Sequence, residues 1–380
     1  MIRLTRPWFD AAETDAVQRV MASGMLVQGA EVRAFEESVS RYLDDLAPGR
    51  GETHALAVGS GTAALELALM AFDVGPGDEV IVPAVSWPSP GNAVVLRGAT
   101  PVLADVTFET FNVDPACMAP VLTSMTRAVI AIDQFGVPAE IPALRAIMGG
   151  VALIEDAACA LGSTLDGAPC GLLGDVGTYS FHPRKVITTA EGGMVLTRNA
   201  THASAVRALR NHGQDAPGVF RGAGPNARLS ELQAAIGSAQ MTKLESLLAR
   251  RRSMAHEIRA AVDLPWQRGP AGSVVNHQTL GLVLPLPANG ALVDARDALI
   301  AALRVDGIEA GALSHALHRL PQFARHAVNA SRRFPVADRV VDGGVALPLH
   351  PGMSPEDVSV VIDGVRRHAA WAIGRPVGAA

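Results

Sequence analysis

Cysteine is scarce in this 380-residue chain: Cys117, Cys159 and Cys170 are the whole supply. An odd, sparse set without CxxC spacing excludes a disulfide framework and a zinc site, and no metal is expected. Aromatic residues make up 4% of the chain, charged residues 18%, and the net charge is -5. That balance excludes the basic surface with interleaved aromatics that a nucleic acid would require, and equally a basic patch for an anionic membrane. The one dense basic run, ARRRSM at 249–254, reads as the solvated face of a helix. No apolar stretch reaches the roughly 18 residues of a membrane span, and the N-terminus has no apolar signal core. The default expectation is a cytoplasmic protein. Hydrophobic residues, in contrast, make up 49%, which suits one large α/β domain and a smaller one.

Periodicity supports that division. Residues 10–46 show apolar positions at three- and four-residue spacing, broken by SGMLVQG, and predict two helices. Downstream, short apolar runs alternate with helical stretches: HALAV, EVIVPAV, TPVLADV, RAVIAIDQF, VALIEDAA and VGTYSF. Such alternation predicts a parallel sheet covered on both faces. A single long helix is expected over about 229–260. After it the texture changes to a smaller α+β unit that closes on a helix capped by Ser354, with Asp357 three residues on. The terminal RPVGAA is expected to fray. The boundaries read 1–250 for the large domain, including its N-terminal helical segment, and 251–380 for the small one.

Four motifs stand at strand ends, where open parallel sheets bind ligands. In VGSGTAALELAL, the segment Ser60, Gly61, Thr62, Ala63 opens a helix whose free N–H groups and dipole suit a phosphate. It matches neither the Walker A nor the GxGxxG pattern, and an ordinary capped helix would read the same way. In LIEDAACALGS, Asp156 follows an apolar strand. A carboxylate there needs a partner, and either a helix cap or a protonated ring nitrogen would serve. In TYSFHPRKVITTAEGGMV, Lys185 is either a snorkelling surface lysine or a desolvated amine able to act as nucleophile or base. Ser180, five residues earlier, could donate to the phosphate. Trp87 offers a flat ring for stacking, or simply packs. Together these parts match the needs of pyridoxal phosphate.

With these motifs in order, the sequence resembles the DegT/DnrJ/EryC1/StrS aminotransferases, fold type I pyridoxal-phosphate enzymes that act mainly on sugars. The likeness runs from SGMLVQGAEVRAFEE through SFHPRKVITTAEGGMV and NARLSELQAAIGSAQMTKLE to LPLHPGMSPEDV. It implies that Lys185 forms the Schiff base and moves the proton, and that Asp156 holds the pyridine nitrogen protonated. It further implies that Trp87 stacks on the ring, that Ser60, Gly61, Thr62, Ala63 and Ser180 hold the phosphate, and that Asn226 reaches the cofactor of a partner subunit in a homodimer. Gln28, Glu191, Arg228 and His318 follow from family position as substrate contacts. The implied reaction is a ping-pong transfer of an amino group from L-glutamate to a keto-sugar, which would be nucleotide-linked. A keto-cyclitol or other non-nucleotide ketone, and a non-catalytic cofactor-binding homologue, are the competing readings. Two departures stand out. Cys159 occupies a position where the family usually has Gln or His near the cofactor's phenolic oxygen. Pro88 and Pro90 replace a threonine- and alanine-rich run. Related dehydratases carry His in place of the lysine, so the presence of Lys185 favours transamination.

Overall fold

The computed structural model describes residues 1–285 and 291–372; the terminal RPVGAA lies outside them. Seven strands build the central sheet: β1 (His54–Val58), β2 (Glu79–Pro83), β3 (Thr100–Ala104), β4 (Thr126–Ile132), β5 (Ala152–Asp156), β6 (Val176–Ser180) and β7 (Gly193–Thr197). Their spatial order is β1-β7-β6-β5-β4-β2-β3, with β7 antiparallel to both neighbours and the other pairings parallel. The sequence reading predicted the six parallel strands and missed the seventh. Parallel pairing needs a crossover element, and the stretch joining β6 to β7 (residues 181–192) contains no helix, so the chain turns back and pairs antiparallel. That same stretch carries Lys185.

Helices cover the sheet because the strands are apolar on both faces. Among them, α1 (Ala11–Ser23) and α2 (Ala30–Leu46) match the predicted pair. Helix α2 buries Val32, Phe35, Val39 and Leu43 along one stripe. Its free N-terminal N–H groups are met by a residue 200 positions away. The Glu231 carboxylate accepts from Gly29, Glu31 and Val32 at 2.7, 2.9 and 3.1 Å. Helix α3 (Gly61–Ala71) follows β1, and α4 (Ser89–Leu96) follows β2.

The predicted single helix over 229–260 is two, Glu231–Met241 and Leu244–Ala261. The break sets the Lys243 ammonium between Asp10, at 2.8 Å, and Glu13, at 2.6 Å. The basic run in the second helix is only in part the expected solvated face: Arg250 is exposed, Arg252 half-buried and Arg251 buried. Arg251 is 3% exposed and donates to the carbonyls of His277 and Gln278. Arg250 donates to Met353 O and Arg252 to Gly162 O, each at 2.6 Å. The helix is clasped on several sides by main chain, and arginine's planar fork suits that task. Its first half packs Leu244, Leu247 and Leu248 into one core, its second half Met254, Ala255 and Ile258 into another. The second core belongs to an antiparallel sheet (Leu280–Val283, Gly344–Leu347, Gly311–Ala312) with helices Leu292–Val305 and Pro355–Ala372. The Ser354/Asp357 capping pair forms as expected, at 2.9 and 3.1 Å.

His277 stands in the left-handed region (φ 50°). Burial, followed by the charges of Arg259, Arg251 and Arg252, pushes its pKa down to about 4. The folded state therefore binds fewer protons than the unfolded chain below the ordinary value of 6.5. This contribution to stability is intact above pH 6.5 and is lost progressively toward pH 4. His277→Asn removes the titration and tolerates the same backbone. Urea unfolding should show a shallower loss of stability between pH 6.5 and 4 in this variant than in the parent; equal slopes would refute the assignment.

Candidate active site

The parallel strands all point their carboxyl ends the same way, and the predicted residues collect there. Ser60 caps α3 by accepting from Ala63 N at 3.1 Å. Gly61 approaches β6 so closely that an added Cβ would lie 2.8 Å from Ser180 Cβ, so only glycine lets the helix start reach the strand end. Thr62 Oγ1 lies 2.5 Å from Ser89 Oγ. Ser89 was not singled out from sequence; it sits between two prolines and carries no local signal. The group Ser60–Ala63, Ser89 and Ser180 thus forms one cradle of N–H and O–H donors at a helix N-terminus.

Asp156 ends β5 and is 5% exposed. It accepts from Ala158 N at 3.1 Å and forms no ion pair within 4 Å among the described residues. Burial raises its pKa, while the Ala158 N–H and the nearby Lys185 charge oppose the shift. Across the ladder from it, Thr178 has a buried hydroxyl without a partner. A buried carboxylate held by one main-chain donor and no Lys or Arg ion pair among the described residues fits a positively charged ring nitrogen.

Lys185 is half-buried and its Nζ donates to Cys159 Sγ at 3.0 Å. Arg184, beside it in sequence, is exposed, so the two side chains do not share an environment. Cys159 is itself fixed from behind, its carbonyl accepting from Asn276 Nδ2 at 2.8 Å. Trp87 is 65% exposed. One edge of it meets His315, with ring centroids 5.2 Å apart, which leaves an indole face open. Residues 226–228 run alongside the cradle, with Gly59 N donating to Ala227 O at 2.9 Å. Arg228 ties Asn226 and Asn211 together at 2.9 and 2.8 Å, and Asn226 is exposed.

The remaining predicted residues stand apart in their contacts. Gln28 is half-buried at a left-handed position (φ 49°) before α2. Glu191 exposes its side chain, while its carbonyl accepts from Thr189 and Gln233. His318 bonds to Asp338 at 2.9 Å and stacks on Phe334. These contacts occupy one ring nitrogen and one ring face.

A family model described as the DegT/DnrJ/EryC1/StrS aminotransferase family matches residues 7–366. Among solved structures, the chain is similar to the aminotransferase TlmJ from Streptoalloteichus hindustanus. The identity is 31% over 98% of this chain and 99% of that one, with a TM-score of 0.87. A 3-amino-5-hydroxybenzoic acid synthase is similar at 30% identity, over 98% of each chain, with a TM-score of 0.88. DesV of S. venezuelae, solved with a ketimine intermediate, is similar at 28% identity over 97% of this chain and 99% of that one, with a TM-score of 0.86.

Proposed function

As a member of the DegT/DnrJ/EryC1/StrS aminotransferase family, the chain is a pyridoxal-phosphate-dependent aminotransferase, and we propose that it moves an amino group from L-glutamate to a keto-sugar. The observation that carries the site assignment is the meeting of Lys185, Asp156 and Cys159 beside the α3 cradle. The cofactor, when bound, supplies an electron sink. The residues of the chain do the rest. The N–H groups of Gly61 and Thr62, with the hydroxyls of Ser60 and Ser180, would bind the phosphate, and the Ala63 N–H fixes the Ser60 hydroxyl beside them. The Asp156 carboxylate, buried and preorganised, holds a proton on the ring nitrogen. Trp87 covers a ring face. The Lys185 amine would hold the cofactor's aldehyde and would take and return the substrate proton at Nζ. Half-burial of Lys185 limits competing water.

Exposed Asn226, beside Gly59, is available to a second subunit, which supports a homodimer with shared sites. The core built from residues between Met254 and Ala369 supports a smaller unit within 251–380, while Leu317, Phe323 and Val340 pack into the core of the large unit, 1–250. No described helix is long and apolar enough to cross a membrane. A cytoplasmic location is consistent with three free cysteines. The likeness to a synthase of 3-amino-5-hydroxybenzoic acid favours a non-nucleotide cyclic ketone as the second reading of the acceptor.

The test has two stages. Mixed with L-glutamate alone, the loaded protein should release one equivalent of 2-oxoglutarate per site. Nucleotide-linked keto-sugars and free keto-cyclitols are then offered in parallel. Turnover only with the cyclitols would replace the first acceptor by the second, and no 2-oxoglutarate from the first stage would remove glutamate as donor.

Cys159 gives a sharper local test. A thiol is a weak hydrogen-bond partner, and a Gln can replace its contact with Lys185 by a stronger one. Cys159→Gln should hold turnover within about tenfold of the parent, a change of about 1.4 kcal/mol, and retain the cofactor at least as well on dialysis. Complete loss would mean that the thiol itself is required.

A further inference from the structure

A cavity of about 320 Å³ lies between the helix Leu244–Ala261, the segment 267–281 and the turn after β4. It shares no lining residue with the strand-end site. Its one charged lining group is Arg259, beside the imidazoles of His256 and His277, and no carboxylate lines it among the described residues. Arg259 is half-buried, donates Nη1 to Gln267 O at 2.9 Å and lies over the Trp266 ring. It forms no ion pair among the described residues, and most of its guanidinium donors are unspent. The charges that bear on these groups from neighbouring elements have the same sign: Arg268 acts on Arg259, and Arg251 and Arg252 act on His277. A half-buried guanidinium without a counter-charge favours an anionic partner. An arginine fork held by a carbonyl and an indole is preorganised for a carboxylate or phosphate. Phe135 and Val137 give the opposite wall an apolar surface, and the volume falls in the range of small-molecule sites.

We infer that this cavity is a second ligand site, separate from the Lys185 centre, and that it takes a small organic anion: a carboxylate or phosphate borne on an apolar or ring-containing body. The anion faces Arg259 and His256, and the body lies against Phe135 and Val137. The site touches the catalytic region through both neighbours of His277, and Gln278 donates to the Arg184 carbonyl at 2.8 Å. Asn276, adjacent to His277, donates to the carbonyls of Cys159 and Leu161 at 2.8 Å.

Calorimetric titration of the protein saturated with pyridoxal phosphate tests this, because the cradle at Gly61 is then filled. Phenyl phosphate and benzoate are the probes, and benzyl alcohol is the uncharged control. At least one anion should bind with one-to-one stoichiometry, and the tighter of the two identifies the preferred head group; the alcohol should not bind. Arg259→Gln removes the fork, and Ser273→Asp places a like charge at the half-buried lining position 273. Each should weaken the anion at least tenfold, about 1.4 kcal/mol, with an unchanged circular dichroism spectrum. Trp87→Ala, at the strand-end site, should leave the affinity as it is. The inference is overturned by binding of neither anion, by equal binding of the alcohol, by unchanged affinity in Ser273→Asp, or by loss of affinity in Trp87→Ala.

Discussion

Lys185→Ala should lower turnover by about 10⁴-fold or more while leaving the fold intact. The expected size follows from removing both the covalent link and the proton carrier, since general acid–base catalysis alone contributes about 10²–10⁴. The fold should survive because Lys185 is half-buried and its ammonium has one side-chain partner, Cys159 Sγ at 3.0 Å. Borohydride treatment of the loaded parent should fix the cofactor on the peptide containing Lys185, and mass spectrometry of a digest reads this without any turnover. Label on Lys243, the only other lysine, or activity within tenfold of the parent would sink the assignment.

Glu155→Gln should cost about 3–5 kcal/mol of stability, as expected for breaking a buried, hydrogen-bonded charge. Glu155 precedes Asp156 on β5 and points to the opposite face of the sheet. It is fully buried. Its carboxylate accepts from Gly171 and Leu173 N at 2.7 Å and from Gly174 N at 3.0 Å. An amide would set an N–H₂ group against some of those donors. Asp133 lies close by, with ligand atoms of Asp133, Glu155 and Cys170 all within 4.8 Å of one another. Burial first, and the Glu155 charge second, hold the Asp133 carboxyl well above the usual range. Burial raises Glu155 as well, but its backbone N–H donors oppose that shift, so a proton shared by the pair favours Asp133. Its Oδ1 accepts from Ala139 N at 2.8 Å. Asp133→Asn should therefore cost less than about 1 kcal/mol, because the amide can donate and accept in the same places. Urea unfolding of the cofactor-free proteins measures both, since a bound cofactor would add its own stabilisation. A Glu155→Gln loss no larger than that of Asp133→Asn would refute the account.

Much of this was legible in the chain. Six sheet strands appear as apolar runs because a doubly covered strand needs no alternation. Ser60–Ala63, Asp156, Ser180 and Lys185 could be singled out because each lies next to a strand end, and strand ends are a local property. The reversed strand β7 was missed because its direction depends on how residues 181–192 return to the sheet, which no periodicity encodes. Ser89 was missed because its partner, Thr62, opens a different helix.

The sequence by itself determined the alternating α/β order, the strand-end position of the candidate site residues and the family to which the chain belongs. The tertiary structure decided where the polar groups find their partners. It decided that Glu231 caps a helix 200 residues upstream, that Arg251 and Arg252 clasp main chain instead of facing water, and that Glu155 serves structure while its neighbour Asp156 is turned toward the strand-end site. The physical reason is range. Apolar patterning is set by neighbours three or four residues away, whereas a buried charge is stabilised only by donors that long-range packing brings within about 3 Å.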